Sequence, residues 1–356
     1  MNIFRNDLNT KPDIKVAVQV KKYMMSLNES NLNPINSLSD KLNETFKNVQ
    51  LNRYVSDVTV QLKRELADYV GHGVKESQIL FGNGVDDMLY FLFTAVRTFK
   101  TSYALSLAPS YFDYKTYSGS VGLEMEFLDF NQDFNFSVDD YLERLNSQNC
   151  ELGIICNPNN PTGHLIPDKK IINILQKTTK PILIDETYFE FSGKTFVDMI
   201  KEFPNIIISR SFSKSFSAAG LRFGYIVSSE ENCIFLNRVM PVFNCGILTQ
   251  SIALTILQNK SLFFENNNKI ISSKEEMYNE MKKYSEVTVY QSYTNFLTFS
   301  LGEMSSDFYN YLLENDISVR PVGAHPLLKN HLRVTVCDEN SNKAFLTALS
   351  TFLKKE

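Results

Sequence analysis

The segment Ser211-Phe-Ser-Lys214-Ser-Phe-Ser-Ala-Ala-Gly-Leu-Arg222 concentrates reactive side chains in a dozen residues. Lys214 follows an apolar run, Ile206-Ile-Ile208, so it falls just beyond a predicted buried strand. An amine desolvated there holds its proton less tightly and can condense with an aldehyde as a Schiff base. Ser211, Ser213 and Arg222 offer hydroxyls and a guanidinium, the donors that hold a phosphate. A lysine in a Ser-rich loop is also a common surface feature, and its weight here comes from the rest of the chain.

Asp185 ends another apolar run, Pro181-Ile-Leu-Ile184. A buried carboxylate needs a partner. A protonated pyridine nitrogen is one, and the pair makes the ring an electron sink. The competing reading is that Asp185 caps a turn. Tyr188, three residues on, can hydrogen-bond a ring oxygen. In Asn157-Pro-Asn-Asn-Pro-Thr-Gly163, two prolines and a glycine fix the loop and aim the Asn157 amide at a ring hydroxyl. Tyr111 follows Ala108-Pro-Ser and offers a flat face for stacking, or simple packing. Phe81-Gly-Asn-Gly84-Val85-Asp-Asp87 lies between a strand and a helix. There the amides of Gly84 and Val85 can cradle an anion, or the segment is only a tight turn. It is neither GxGxxG nor a Walker A loop, so a nucleotide is not indicated. Aldehyde, phosphate and ring nitrogen together describe pyridoxal 5'-phosphate (PLP). Arg333, in Leu332-Arg-Val-Thr-Val336, suits a substrate carboxylate. Arg320, in Val319-Arg-Pro321, has the same reading, and a surface ion pair competes with it for both arginines.

The elements that must position these groups follow from periodicity. Short apolar runs at 79–81, 103–107, 123–128, 152–156, 181–184, 206–209 and 223–227 alternate with amphipathic stretches. One such stretch places Val85, Met88, Leu89, Leu92, Phe93 and Val96 on one helical face. Runs that are apolar throughout belong to strands buried on both faces of a mostly parallel sheet. Ligands of such sheets bind beyond the strands' carboxyl ends, where most of the polar motifs fall. The expected fold is α/β, with a seven-stranded mostly parallel sheet in a large domain over 36–245. An α+β domain follows over 246–356, and an N-terminal arm over 1–35 packs with it. In the smaller domain the pattern predicts a helix over 249–262, a polar turn at Asn266-Asn-Asn268 and a helix over 272–284. Short strands at 287–289, 296–299, 317–320 and 332–336 and a helix over 340–353 complete it.

Composition narrows the function classes. A chain of 356 residues can bury a large core. The formal net charge of −4 gives no footprint for nucleic acid. Five scattered cysteines without a CxxC argue against a disulfide framework or zinc site and for a reducing, cytoplasmic setting. Four histidines lack metal-ligand spacing, so no metal is expected. Neither a signal peptide nor a membrane span is evident.

Taken in order, the motifs resemble the PLP-dependent aminotransferases of fold type I, and within them the histidinol-phosphate aminotransferase branch. The resemblance covers about residues 50–336, and its most specific parts are Asn157–Gly163 and Ser211–Arg222. It implies that Lys214 bonds the cofactor, that Asp185 pairs with the pyridine nitrogen, and that Asn157 and Tyr188 contact the ring oxygen. It implies that Tyr111 stacks on the ring and that Ser211, Ser213, Arg222, Gly84 and Val85 bind the phosphate. Arg333 would hold the substrate carboxylate, and Arg320 a substrate phosphate. Leu51-Asn-Arg-Tyr54 matches the segment whose tyrosine reaches a partner subunit's cofactor, which implies a homodimer with shared sites. The implied reaction moves an amino group between histidinol phosphate and 2-oxoglutarate. Alternatives are a lyase resembling threonine-phosphate decarboxylase and an aminotransferase for an aromatic or specialised amino acid. A DNA-binding regulator on the same fold would need an appended domain and a basic patch, and neither is visible.

The chain departs from that branch at three places. Val85 stands where a serine is usual, Asn28-Glu-Ser-Asn-Leu-Asn-Pro34 replaces a shorter Asn-Glu-Asn-Pro, and Val55 follows Arg53-Tyr54 in place of proline. These changes bear on the substrate more than on the cofactor.

Overall fold

The computed structural model describes residues 19–54, 56–98 and 101–354. A short strand, β1 (Tyr23–Met24), precedes the helices Ser39–Asn48 and Asp57–Val70. The large sheet contains β2 (Ile79–Gly82), β3 (Tyr103–Ala108), β4 (Glu124–Asp129), β5 (Cys150–Cys156), β6 (Ile182–Asp185), β7 (Ile206–Ser211) and β8 (Gly224–Ser228). Their order is β2-β8-β7-β6-β5-β3-β4, and only β8 runs antiparallel to its neighbours.

The apolar runs make this sheet because both of its faces are covered. On β6, Ile182 and Ile184 point into one core and Leu183 into the other. Ile206, Ile208 and Ile207 repeat that alternation on β7. Helices Val85–Val96 and Asp113–Ser120 pack on one face, and Asp57–Val70 and Asp168–Gln176 on the other. The register sets Cys156 beside Asp185 and Asp185 beside Ser209. The chain therefore leaves β5, β6 and β7 at one common edge, and the polar motifs follow there.

A second core lies under the antiparallel sheet of β9 (Thr288–Val289), β10 (Phe296–Ser300), β12 (Arg320–Pro321) and β13 (His331–Thr335), in the order β12-β13-β10-β9. Strand β11 (Ile317–Ser318) pairs in parallel with β1, so the arm joins this core through Met25. No helix among the described residues is long and apolar enough to cross a membrane.

Three expectations differ from the structure. The turn at Asn266–Asn268 is absent, because one helix runs from Lys260 to Met281. Its start packs through Phe263 in the first core, and Ile270, Met277 and Met281 anchor its end in the second. Anchors at both ends override the weak helix propensity of three asparagines, and the break falls at Asn259 instead. The helix Ile247–Gln258, expected at the start of the smaller domain, packs on the first core through Ala253, Leu254, Ile256 and Leu257. The strand expected over 317–320 divides between two sheets at Val319, and Pro321, which lacks an N–H, sits on the edge strand β12.

Candidate active site

Asp185 closes β6 fully buried. Its Oδ2 accepts from Tyr114 Oη at 2.6 Å, and its Oδ1 accepts from Thr187 Oγ1 at 2.7 Å, Thr187 N at 3.1 Å and Ser209 Oγ at 3.1 Å. Burial pushes its carboxyl above the ordinary range, while the bonds from Tyr114, Thr187 and Ser209 oppose that shift. These donors are the partners of a carboxylate, and a cation beside it would offset the cost of burying its charge.

Lys214 lies beyond β7. Its Nζ donates to the Leu27 carbonyl at 2.9 Å. Burial, and next the charge of Arg333, lower its amine to about 8. The amine is thus neutral enough near neutral pH to act as a nucleophile or base. It follows that PLP loading onto the cofactor-free protein accelerates with pH. Below about 8 the amine is mostly protonated, so the rate falls about tenfold per unit of pH. Above that value it levels off. Stopped-flow absorbance over a pH series checks this, and a flat profile contradicts it.

Asn157 follows β5 in a loop with cis peptides before Pro158 and Pro161. Its Oδ1 accepts from Ile166 N at 2.9 Å, while its buried Nδ2 has no partner among the described residues. Asn159 ties this loop to the one after β3, donating to the Pro109 carbonyl at 3.0 Å and accepting from Ser110 Oγ at 3.0 Å. That tie brings Tyr111 into the site. The Tyr111 hydroxyl donates to Asp86 at 3.2 Å, and its ring meets the edge of Tyr114 at 5.2 Å. Tyr188 is buried, and its Oη accepts from Asn28 Nδ2 at 2.8 Å.

Arg222 has a left-handed backbone and donates to Asp86 Oδ2 at 2.8 Å and Ser213 Oγ at 3.4 Å. Ser211 Oγ accepts from Ser213 N at 3.1 Å. Gly84, at φ +88, caps the helix Val85–Val96, and a Cβ there would lie 2.7 Å from Arg222 Nη2. Only glycine leaves that cradle open. Val85 supplies an amide but no hydroxyl. Val85→Ser is therefore expected to tighten PLP binding about 2- to 10-fold. Equilibrium dialysis measures this, and a weaker or unchanged affinity contradicts it.

Arg333 lies within β13, nearly buried, and burial pulls its guanidinium down to about 10. It donates to Asn160 Oδ1 at 2.6 Å and to the Ser26 carbonyl at 2.9 Å, and its Nε has no partner among the described residues. Arg320 pairs with Arg333 in register across β12 and β13 but is exposed. Directly opposed residues share a sheet face, so the two guanidinium groups stem from one face of this sheet. Tyr54 is exposed and stacks on Phe243 at 4.6 Å, apart from this cluster.

The residues present fit PLP. The unpartnered Asn157 amide wants an acceptor, Asp185 wants a cation, and the turn at Gly84 with Arg222 and Ser213 wants an anion. Sequence reasoning missed Tyr114, Asp86 and Asn28. Tyr114 had a weak signal, lying one helical turn beyond Tyr111, and Asp86 stood in a quoted motif with no role beyond complementing the helix dipole.

A family profile described as aminotransferase class I and II matches residues 21–349. The chain belongs to that family. Among class I and II aminotransferases, a histidinol-phosphate aminotransferase of Caldanaerobacter subterraneus is 32% identical over 352 residues, 99% of each chain. The crystal structure of the histidinol-phosphate aminotransferase from Clostridium acetobutylicum superposes with a TM-score of 0.84 at 25% identity, covering 94% of this chain and 99% of that one. The L-threonine-O-3-phosphate decarboxylase from Porphyromonas gingivalis has a TM-score of 0.78 at 22% identity, over 93% and 99% of the two chains. That likeness concerns the fold alone.

Proposed function

We propose that the chain transfers an amino group from histidinol phosphate to 2-oxoglutarate, using PLP held on Lys214. The observation that carries the reaction type is the convergence of Lys214, Asp185 and Asn157 at the ends of β7, β6 and β5. The choice of donor rests on the 32% identical relative named as a histidinol-phosphate aminotransferase over its whole length.

Bound PLP supplies an electron sink for the bond that loses its proton. The chain's own residues do the rest. Lys214 Nζ would take and hold the proton from the substrate carbon that bears nitrogen. Asp185 would hold a proton on the ring nitrogen. Asn157 and Tyr188 would bind the ring oxygen, and Tyr111 would cover the ring face. Ser211, Ser213, Arg222 and the amides of Gly84 and Val85 hold the cofactor phosphate. Arg333 orients the carboxylate of the acceptor, and Arg320 receives the substrate phosphate. Tyr54 completes the site of a second subunit in a homodimer, which accounts for its exposed ring. The large unit would carry the cofactor, and the smaller unit, with the arm joined to its core, would close the substrate side. Such an enzyme works in the cytoplasm.

A lyase for threonine phosphate is the second reading, favoured by the shared fold and the paired arginines. Product analysis separates the two. With histidinol phosphate and 2-oxoglutarate, the protein should form glutamate and the matching keto phosphate. Carbon dioxide released from threonine phosphate, without glutamate, would replace the proposal by the lyase.

A further inference from the structure

We propose that Asn28, in the N-terminal arm, is a positioning residue that turns the Tyr188 hydroxyl proton toward the ring oxygen of the cofactor. This rests on the reading of the site as a PLP site.

The segment was expected to be a polar arm outside the core, yet Asn28 is buried to 1% exposure and takes a left-handed backbone at φ 56. Asparagine tolerates that conformation better than most residues. Four hydrogen bonds hold it. Its N–H donates to Thr335 Oγ1 at 2.9 Å, and its carbonyl accepts from Asn295 Nδ2 at 3.0 Å. Thr335 Oγ1 accepts from that N–H and donates its own proton to Asn28 Oδ1, at 3.3 Å. In this arrangement the amide oxygen faces Thr335 and the other end faces Tyr188. That end is the NH2 group, donating to Tyr188 Oη at 2.8 Å.

A phenol has one proton to give and lone pairs to receive. With the amide on a lone pair, the Tyr188 proton is left for an acceptor on the other side. Among the described residues none accepts it. A ring oxygen of PLP would. The charged and titratable groups around Tyr188 are Arg333, Cys156 and Asp185. The same strap orders the neighbouring groups, since Leu27 O accepts from Lys214 and Ser26 O accepts from Arg333. Its residues therefore set the proton on Tyr188 and the resting places of the amine and the guanidinium together.

The test is a pH titration of the visible band of the PLP-loaded protein. A proton donated to the ring oxygen favours the form of the bound cofactor that has released its own proton. Weakening that donation should raise the midpoint. Asn28→Ala is expected to raise it by about 0.5–1 unit, the worth of one hydrogen bond. Asn28→Asp keeps the shape but offers an acceptor in place of the NH2 group, so it should raise the midpoint further. Thr335→Val, which frees the Asn28 amide to rotate, should shift it in the same direction by less. In a Tyr188→Phe background Asn28→Ala should add nothing. An unchanged midpoint in folded, PLP-loaded Asn28→Ala overturns the proposal, as does a full shift that persists in Tyr188→Phe. Absence of a PLP adduct at Lys214 in the unaltered protein overturns the reading of the site, and the proposal with it.

Discussion

Lys214→Ala is expected to lower amino transfer by at least about 10⁴-fold, the upper range for loss of a positioned acid–base group, with the covalent anchoring of the cofactor lost as well. The fold should survive. Lys214 contributes one hydrogen bond, to Leu27, and removing a buried amine relieves desolvation. PLP should still enter, because Arg222, Ser213 and the turn at Gly84 do not depend on the lysine. The variant should therefore keep its melting temperature and hold PLP noncovalently. A small amine such as methylamine, diffusing into the vacated space, should restore part of the rate. Single-turnover kinetics with and without that amine check the prediction. A variant within about tenfold of the parent would mean that another group moves the proton.

Asp185→Asn is the second large effect. The carboxylate receives donors from Tyr114, Thr187 and Ser209 on both of its oxygens. An amide of the same size must turn its NH2 group toward at least one of these donors, and it carries no charge to hold a proton on the ring nitrogen. Removing one partner of a buried ion pair costs about 3–5 kcal/mol, which corresponds to a fall of about 10²- to 5 × 10³-fold in kcat. KM should change much less, because substrate groups are held elsewhere. Steady-state kinetics at saturating PLP separate the two quantities. Loss confined to KM would place Asp185 outside the chemistry.

These two residues were readable in the chain because local and global signals agree there. Short apolar runs ending in Asp185, or followed within a few residues by Asn157 or Lys214, fit buried strands of a parallel sheet, and parallel strands bring their carboxyl ends together. Tyr54 was named by resemblance alone and Arg320 by its residue type, and this single chain leaves both exposed. Tyr114 and Asn28 were not legible as site residues. Tyr114 reaches Asp185 across 71 positions, and Asn28 reaches Tyr188 across 160; no local pattern encodes such pairs. The helix through Asn266–Asn268 was hidden for the converse reason. Its local sequence argues for a turn, while Phe263 and Ile270 lie in different cores and hold the segment helical from both sides.

Borohydride reduction of the PLP-loaded protein, followed by peptide mapping, tests the central claim most directly. One pyridoxyl adduct, on the peptide containing Lys214, is the expected result. An adduct on a different lysine, or a protein that binds PLP without any reducible bond, would contradict it.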